Sequence, residues 1–107
     1  MGINRFEVYL VNLDPTIGSE IQKTRPCVVV SPDEINHMVR TALIAPMTTE
    51  GQAYPTRVPC IFNRKKGQVV LDQIRAVDRV RLIKRLGVLD GPTGARVLEV
   101  LQEMFSP

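Results

Sequence analysis

Between Phe6 and Leu89 the chain is built of short runs rich in valine, isoleucine and leucine, interrupted every few positions by turn-forming residues, and this pattern narrows the fold more than any other feature. The runs are FEVYLVNL (6–13), PCVVVS (26–31), TALIAPMT (41–48), TRVPCIF (56–62), QVVLDQI (68–74) and RLIKRLGVL (81–89). Each has strand length and β-branched character, and the spacers hold Pro, Gly, Asn and Asp. Such runs with short connections predict a mainly β domain of about six or seven strands, a strongly bent sheet or small barrel. Among the spacers, DPTIGSE contains Pro15 and Gly18, SPDEIN is read as one helical turn capped by Ser31, and NRKKG with Gly67 is read as a hairpin loop. Pro59 cannot donate to a ladder, so its run belongs at an edge or a bulge. An open edge there is a natural place for a second subunit.

The end of the chain changes period. Asp90 or Gly91 can cap a helix with Pro92 in its first turn, and Val97, Leu98, Leu101, Met104 and Phe105 recur three and four apart. One amphipathic C-terminal helix lying on the sheet is expected. A chain of 107 residues suits a single domain spanning residues 1–107. No run of 18 apolar residues exists, and MGINRFEVYLVNLDP carries Glu7, Asn12 and Asp14 where a signal peptide would need an apolar stretch. The expectation is a cytoplasmic protein with no membrane association.

Elimination goes far on the chemistry. Cys27 and Cys60 have no cysteine or histidine at zinc-site spacing and read as buried free thiols. His37 is the only histidine, which rules out a two-histidine ribonuclease mechanism, and no HExxH or EF-hand spacing is present. No metal and no cofactor are expected. Phosphate-binding GxGxxG and GxxxxGK[ST] loops and the GxSxG elbow are likewise missing. Positive charge is concentrated between Arg57 and Arg85, where nine Lys and Arg face only Asp72 and Asp78, a pattern that fits either a polyanion-binding surface or a solvated face.

Arginine, hydroxyl, amide and carboxylate groups are poor at making a nucleophile from water, but they suit a substrate that carries its own. RNA does, because its 2′-hydroxyl can attack the adjacent phosphodiester while the protein orients it and stabilises the developing charge. A fixed guanidinium meets that second need with a two-pronged fork of donors. Arg25 precedes Pro26, which biases it to extended geometry at a strand entrance, and Thr48 closes TALIAPMT with a hydroxyl. Taken alone, Arg25 also fits a surface charge and Thr48 a turn cap.

In order along residues 5–89, VYLVNLDPTIGSEIQKTRPCVVVS, LIAPMTT, YPTRVP and VVLDQIRAVDRVRLIKRLG resemble the successive motifs of the MazF/PemK toxins of bacterial toxin–antitoxin modules. The resemblance implies a barrel-like β fold with a C-terminal helix. It also implies a homodimer, a cognate antitoxin, and metal-independent, sequence-specific cutting of single-stranded RNA to 2′,3′-cyclic phosphate (or 3′-phosphate) and 5′-hydroxyl ends. It assigns catalysis to Arg25 and Thr48. Substrate binding is expected at Ser19, Glu20, Lys23, Thr49, Gln73 and Arg75, with Glu20 matching a loop acid and Gln73 and Arg75 belonging to the DQIR box; Arg75 also suits a dimer surface. The loops around 14–24 and 49–55 would read the RNA sequence. The alternative is a CcdB-like, non-catalytic poison of DNA gyrase, since that group shares the general fold.

Overall fold

In the computed structural model, which describes residues 2–107, seven strands and two helices follow one another. They are β1 (Glu7–Asn12), β2 (Thr24–Val29), the one-turn α1 (Asp33–Asn36), β3 (Thr41–Thr48), β4 (Arg57–Phe62), β5 (Lys65–Val70), β6 (Arg75–Asp78), β7 (Leu82–Val88) and α2 (Gly91–Met104). All the pairings are antiparallel, in the order β4-β5-β3-β2-β1-β7, and β6 lies against β3. The third strand explains why the sheet curls. Thr41–Ile44 pair with Asp78–Arg75, whereas Met47 and Thr48 pair with Val69 and Gln68. Between the two ladders lie Ala45 and Pro46, and proline has no N–H to continue a ladder.

Both faces of the central strands are buried. Cys27 and Val29 belong to one apolar cluster with Val11, Leu13, Ile44 and Val77, while Val28 and Val30 belong to the other with Val8, Val58, Val69 and Leu71. Burial on both sides is why PCVVVS is continuously apolar instead of alternating. The helix α2 covers the second cluster with Val97 and Val100, which are 0% and 2% exposed. Asp90 caps it, accepting from the Thr93 N–H at 3.0 Å, and Pro92 sits in its first turn.

Several expectations change in detail. The run QVVLDQI is not one strand: β5 ends at Val70, a 3-10 turn takes Leu71–Gln73, and a further short strand, β6, follows. The β4–β5 hairpin turns on Asn63 and Arg64, with φ of 50° and 66°, a two-residue turn of the kind whose twist matches its strands. Gly67, expected in that loop, lies inside β5, where a Cβ would come 2.6 Å from the Thr48 carbonyl oxygen. The helical turn after β2 is capped by Pro32 without a side-chain bond, and Ser31 instead accepts from the Leu43 N–H at 3.1 Å. On α2, Phe105 is 72% exposed and Val100 takes the buried place that its period requires. Pro59 is exposed on β4, an edge strand.

Candidate active site

The site forms where β2 begins and β3 ends. Cys27 pairs with Pro46 and Val28 with Ala45, and continuing that register by two residues sets Arg25 across from Thr48. Cross-strand neighbours stand about 5 Å apart at Cβ, so two residues 23 positions apart in sequence come to share one end of the sheet. A cavity of about 290 Å³ opens there, lined by Arg25, Thr48 and Thr49 together with Asn63, Lys65 and Gln68 of the β4–β5 hairpin. Its apolar floor comes from Pro26, Met47, Cys60, Phe62 and Leu86. No aspartate or glutamate lines it. Two cations, hydroxyls and amides around an apolar floor make a receptor for an anion.

Arg25 is held at its root and free at its tip. Its Nε donates to the Gln22 carbonyl at 3.2 Å, which leaves both terminal nitrogens of the fork for a ligand. The hydroxyl of Thr48 accepts from the Glu50 N–H at 3.1 Å, so the lone pair is engaged and its own hydrogen remains available to donate. Gly67 lets β5 close on the Thr48 carbonyl. Gln68 donates to the carbonyls of Glu50 and Gln52 at 3.3 and 3.2 Å, pinning the start of the loop that follows Thr48.

The remaining sequence-derived positions separate from the cavity. Ser19, Glu20 and Lys23 are exposed on the β1–β2 loop. There Glu20 accepts from the Ile17 N–H at 2.7 Å, and the Lys23 N–H donates to Asp14 at 3.0 Å. Gln73 accepts from the Ile21 N–H at 2.7 Å, and Arg75 donates to the Leu13 carbonyl at 2.9 Å. Both therefore bond the backbone of that loop, and neither lines the cavity. Arg81 reinforces them by donating to the carbonyls of Asn12 and Asp14. Asn63, Lys65 and Gln68 line the cavity although sequence reasoning did not single them out; reading Asn63–Arg64 as the turn would have put Lys65 at the head of a strand.

Part of the basic segment also bonds within the fold. Arg57 bonds Asp72 at 3.2 Å and lies over the Tyr54 ring at 4.7 Å, and Arg85 bonds the buried Glu7 at 2.7 Å. Burial opposes ionisation of Asp72, but bonds from Arg57 and Thr56 outweigh it and hold its carboxyl below the usual value. Both cysteines are buried and free, and burial pushes the Cys27 thiol up to about 12. His37 is exposed, with Nε2 3.0 Å from Asn4. Among the described residues, no three His, Cys, Asp or Glu side chains gather as a metal site would require, and no helix is long and apolar enough to cross a membrane.

Comparison with known proteins bears on the chain's family and fold. A family model described as PemK-like, MazF-like toxin of type II toxin–antitoxin system matches residues 4–105. The chain is 33% identical over 108 aligned residues to Endoribonuclease EndoA of Bacillus subtilis (strain 168), covering 95% of this chain and 93% of that one. Its fold is that of MazF from Deinococcus radiodurans, with a TM-score of 0.84 at 24% identity, covering 97% and 96% of the two chains. A mycobacterial endoribonuclease solved in complex with its cognate antitoxin superposes with a TM-score of 0.80 at 22% identity, over 94% and 92%.

Proposed function

Because the chain belongs to the PemK-like, MazF-like family of type II toxin–antitoxin toxins, we propose that the cavity between Arg25 and the β4–β5 hairpin is where it cuts single-stranded RNA. Endoribonuclease activity accords with its relationship to EndoA over nearly the full length of both chains, and a gyrase-poison reading is not favoured. The observation that carries the proposal is the juxtaposition of Arg25 and Thr48 in a cavity lined by no carboxylate.

The proposed chemistry uses the nucleophile that RNA brings. The 2′-oxygen loses its proton and forms a bond to phosphorus, the bond from phosphorus to the 5′-oxygen breaks, and that oxygen takes up a proton. The products are a 2′,3′-cyclic phosphate (or the 3′-phosphate from its opening) and a 5′-hydroxyl. Arg25 stabilises the extra negative charge on the non-bridging oxygens through its two terminal nitrogens, and Thr48 donates its hydroxyl hydrogen to the same group. The guanidinium stays charged throughout, which suits electrostatic stabilisation and not proton abstraction. Metal-independence is part of the proposal and rests on this donor set. Single strands are the fitting substrate, since in-line attack requires a sugar–phosphate backbone that can leave helical geometry.

Two partners complete the reading. A cognate antitoxin, of the kind bound to the mycobacterial relative, would block the cavity with acidic side chains that match its free cations. A second copy of the chain would cover Leu43 and Val80, which are 42% and 77% exposed on neighbouring segments of β3 and the turn after β6. Sedimentation of wild type against Val80→Asp tests the homodimer; equal monomer masses would remove it.

The activity is tested by incubating a long single-stranded RNA with the protein in excess EDTA, beside Arg25→Ala, and mapping the fragment ends. Discrete cuts with 5′-hydroxyl ends, lost in the variant, are expected. Intact RNA across diverse sequences, or equal cutting by Arg25→Ala, would overturn the proposal.

A further inference from the structure

We propose that Lys65 grips the phosphate adjacent to the scissile one, so that the cavity holds two consecutive phosphates of the RNA strand; this rests on the reading of the cavity as the cleavage site. Alternate residues of a strand share a face, and on β5 Val69, Gly67 and Lys65 stand opposite Val58, Cys60 and Phe62 of β4. Val69, Val58 and Cys60 are buried in the core. The inward face of this hairpin is thus apolar at its base and small in the middle, and it ends in a cation where the pattern calls for another apolar residue.

That cation has no counter-charge. Among the described residues Lys65 makes no ion pair, nor do Arg64, Lys66 and Lys84, which lie outside the cavity, whereas Arg57, Arg75, Arg79, Arg81 and Arg85 in the same basic segment each bond a carboxylate or a backbone carbonyl. Its neighbour Lys66 falls on the other face of β5, outside this cavity, and lines an adjoining depression with Thr48, Glu50 and Gln68. Lys65 lines the same space as Arg25 and Thr48. In the sheet, β3 stands between β2 and β5, so Thr48 is flanked by the strand that carries Arg25 and the strand that carries Lys65. Strands two apart lie about 10 Å from each other, a gap that long basic side chains narrow. On β5 the residue opposite Thr48 is Gln68, and Lys65 lies three positions further on at the hairpin end, so an RNA backbone that passes Arg25 and Thr48 reaches Lys65 by running along β5 within the same cavity. One phosphate leaves most of the cavity empty, and the absence of any lining carboxylate lets a second anion enter.

The contact is made before and during reaction alike, so it affects binding and not the chemical step. The test uses an RNA oligonucleotide carrying the mapped cut site and four proteins: wild type, Lys65→Ala, Lys65→Arg and Lys66→Ala, each checked for an unchanged melt. In Lys65→Ala, KM is expected to rise about tenfold, as for a lost charge-assisted bond, with kcat and the product ends preserved. The dependence of log(kcat/KM) on log salt should flatten by about 0.7, the share of one phosphate contact on a single strand. Lys65→Arg should restore both, and Lys66→Ala should leave both near wild type. A neutral methylphosphonate replacing a phosphate next to the cut site should weaken wild type by the same factor at one of the two neighbours and weaken Lys65→Ala no further. Equal effects of Lys65→Ala and Lys66→Ala, or a methylphosphonate penalty undiminished in Lys65→Ala, would overturn the role of Lys65 while leaving the nuclease intact. Failure of the wild type to cut with Arg25 dependence would overturn the cavity's role itself.

Discussion

The arginines of β6 and the turn that follows it aim at the protein's own backbone, whereas the cations of the cavity aim at space. Arg75 and Arg81 close on the carbonyls of Leu13, Asn12 and Asp14 and so fix where the β1–β2 loop leaves β1. Arg25 gives only its Nε to a carbonyl, and Lys65 has no ion-pair partner among the described residues. One group of positive charges is neutralised within the fold and contributes to its shape. The other is left without a counter-charge, as the proposed RNA-binding role requires. A local excess of basic residues is therefore informative about binding only after the acceptors already inside the protein have been counted.

Substitutions can break this contrast, and the largest effect is expected at Arg25. Arg25→Ala should lower the cleavage rate by about 10³-fold or more, as for other arginines that meet a transferring phosphoryl group, with the melting temperature unchanged because the side chain is exposed. Stopped RNA assays and calorimetry on the same sample check both halves. Thr48→Ala should follow with a loss of about 10²–10³-fold in kcat, the usual effect of removing one transition-state donor; an unchanged kcat would make Thr48 a turn residue only.

Arg75→Ala should show the reverse signature. Leaving the buried Leu13 carbonyl without its donor should cost about 1–3 kcal/mol of stability, visible as a lower denaturant midpoint, with cleavage at saturating RNA little changed. The smallest effect concerns pH. Burial alone would raise the Glu7 carboxyl, but the Asn4 N–H, Arg85 and the Tyr9 hydroxyl outweigh it and hold it below the ordinary 4.5. A carboxylate depressed in the folded state stabilises the protein above its unfolded value, and that stability is lost as pH falls through the folded value. Melting temperature should therefore drop below about pH 4.5, and Glu7→Gln should flatten that acid limb while lowering stability at neutral pH.

Much of the fold was legible in the chain because the strands are marked by side chains and turn residues. TALIAPMT coincides with β3, and Asp90 and Pro92 announce α2. The break in QVVLDQI was not legible, since the 3-10 turn over Leu71–Gln73 contains neither Gly nor Pro, and four-residue β6 is held by its pairing with β3 and not by its own composition. Gly67 misled for a related reason: it serves a close approach to Thr48 across two strands, a requirement that only the sheet reveals. In the site, Arg25 and Thr48 could be named from motifs, and register explains why they meet. Gln73 and Arg75 were expected at the substrate, or Arg75 at a dimer surface, because the DQIR box resembles the family's; their bonds to the backbone of Ile21 and Leu13, 52 and 62 residues away in sequence, leave no local trace.

In the proposed reaction this cavity supplies charge stabilisation while the RNA supplies the nucleophile. The most direct measurement replaces the single 2′-hydroxyl at the mapped cut site of an otherwise unmodified RNA by hydrogen and follows cleavage in EDTA. Cutting should cease at that position while a second, unmodified site in the same strand is cut at its normal rate. Continued cutting at the deoxy position, or the appearance of 5′-phosphate ends, would show that another nucleophile attacks and would contradict the account.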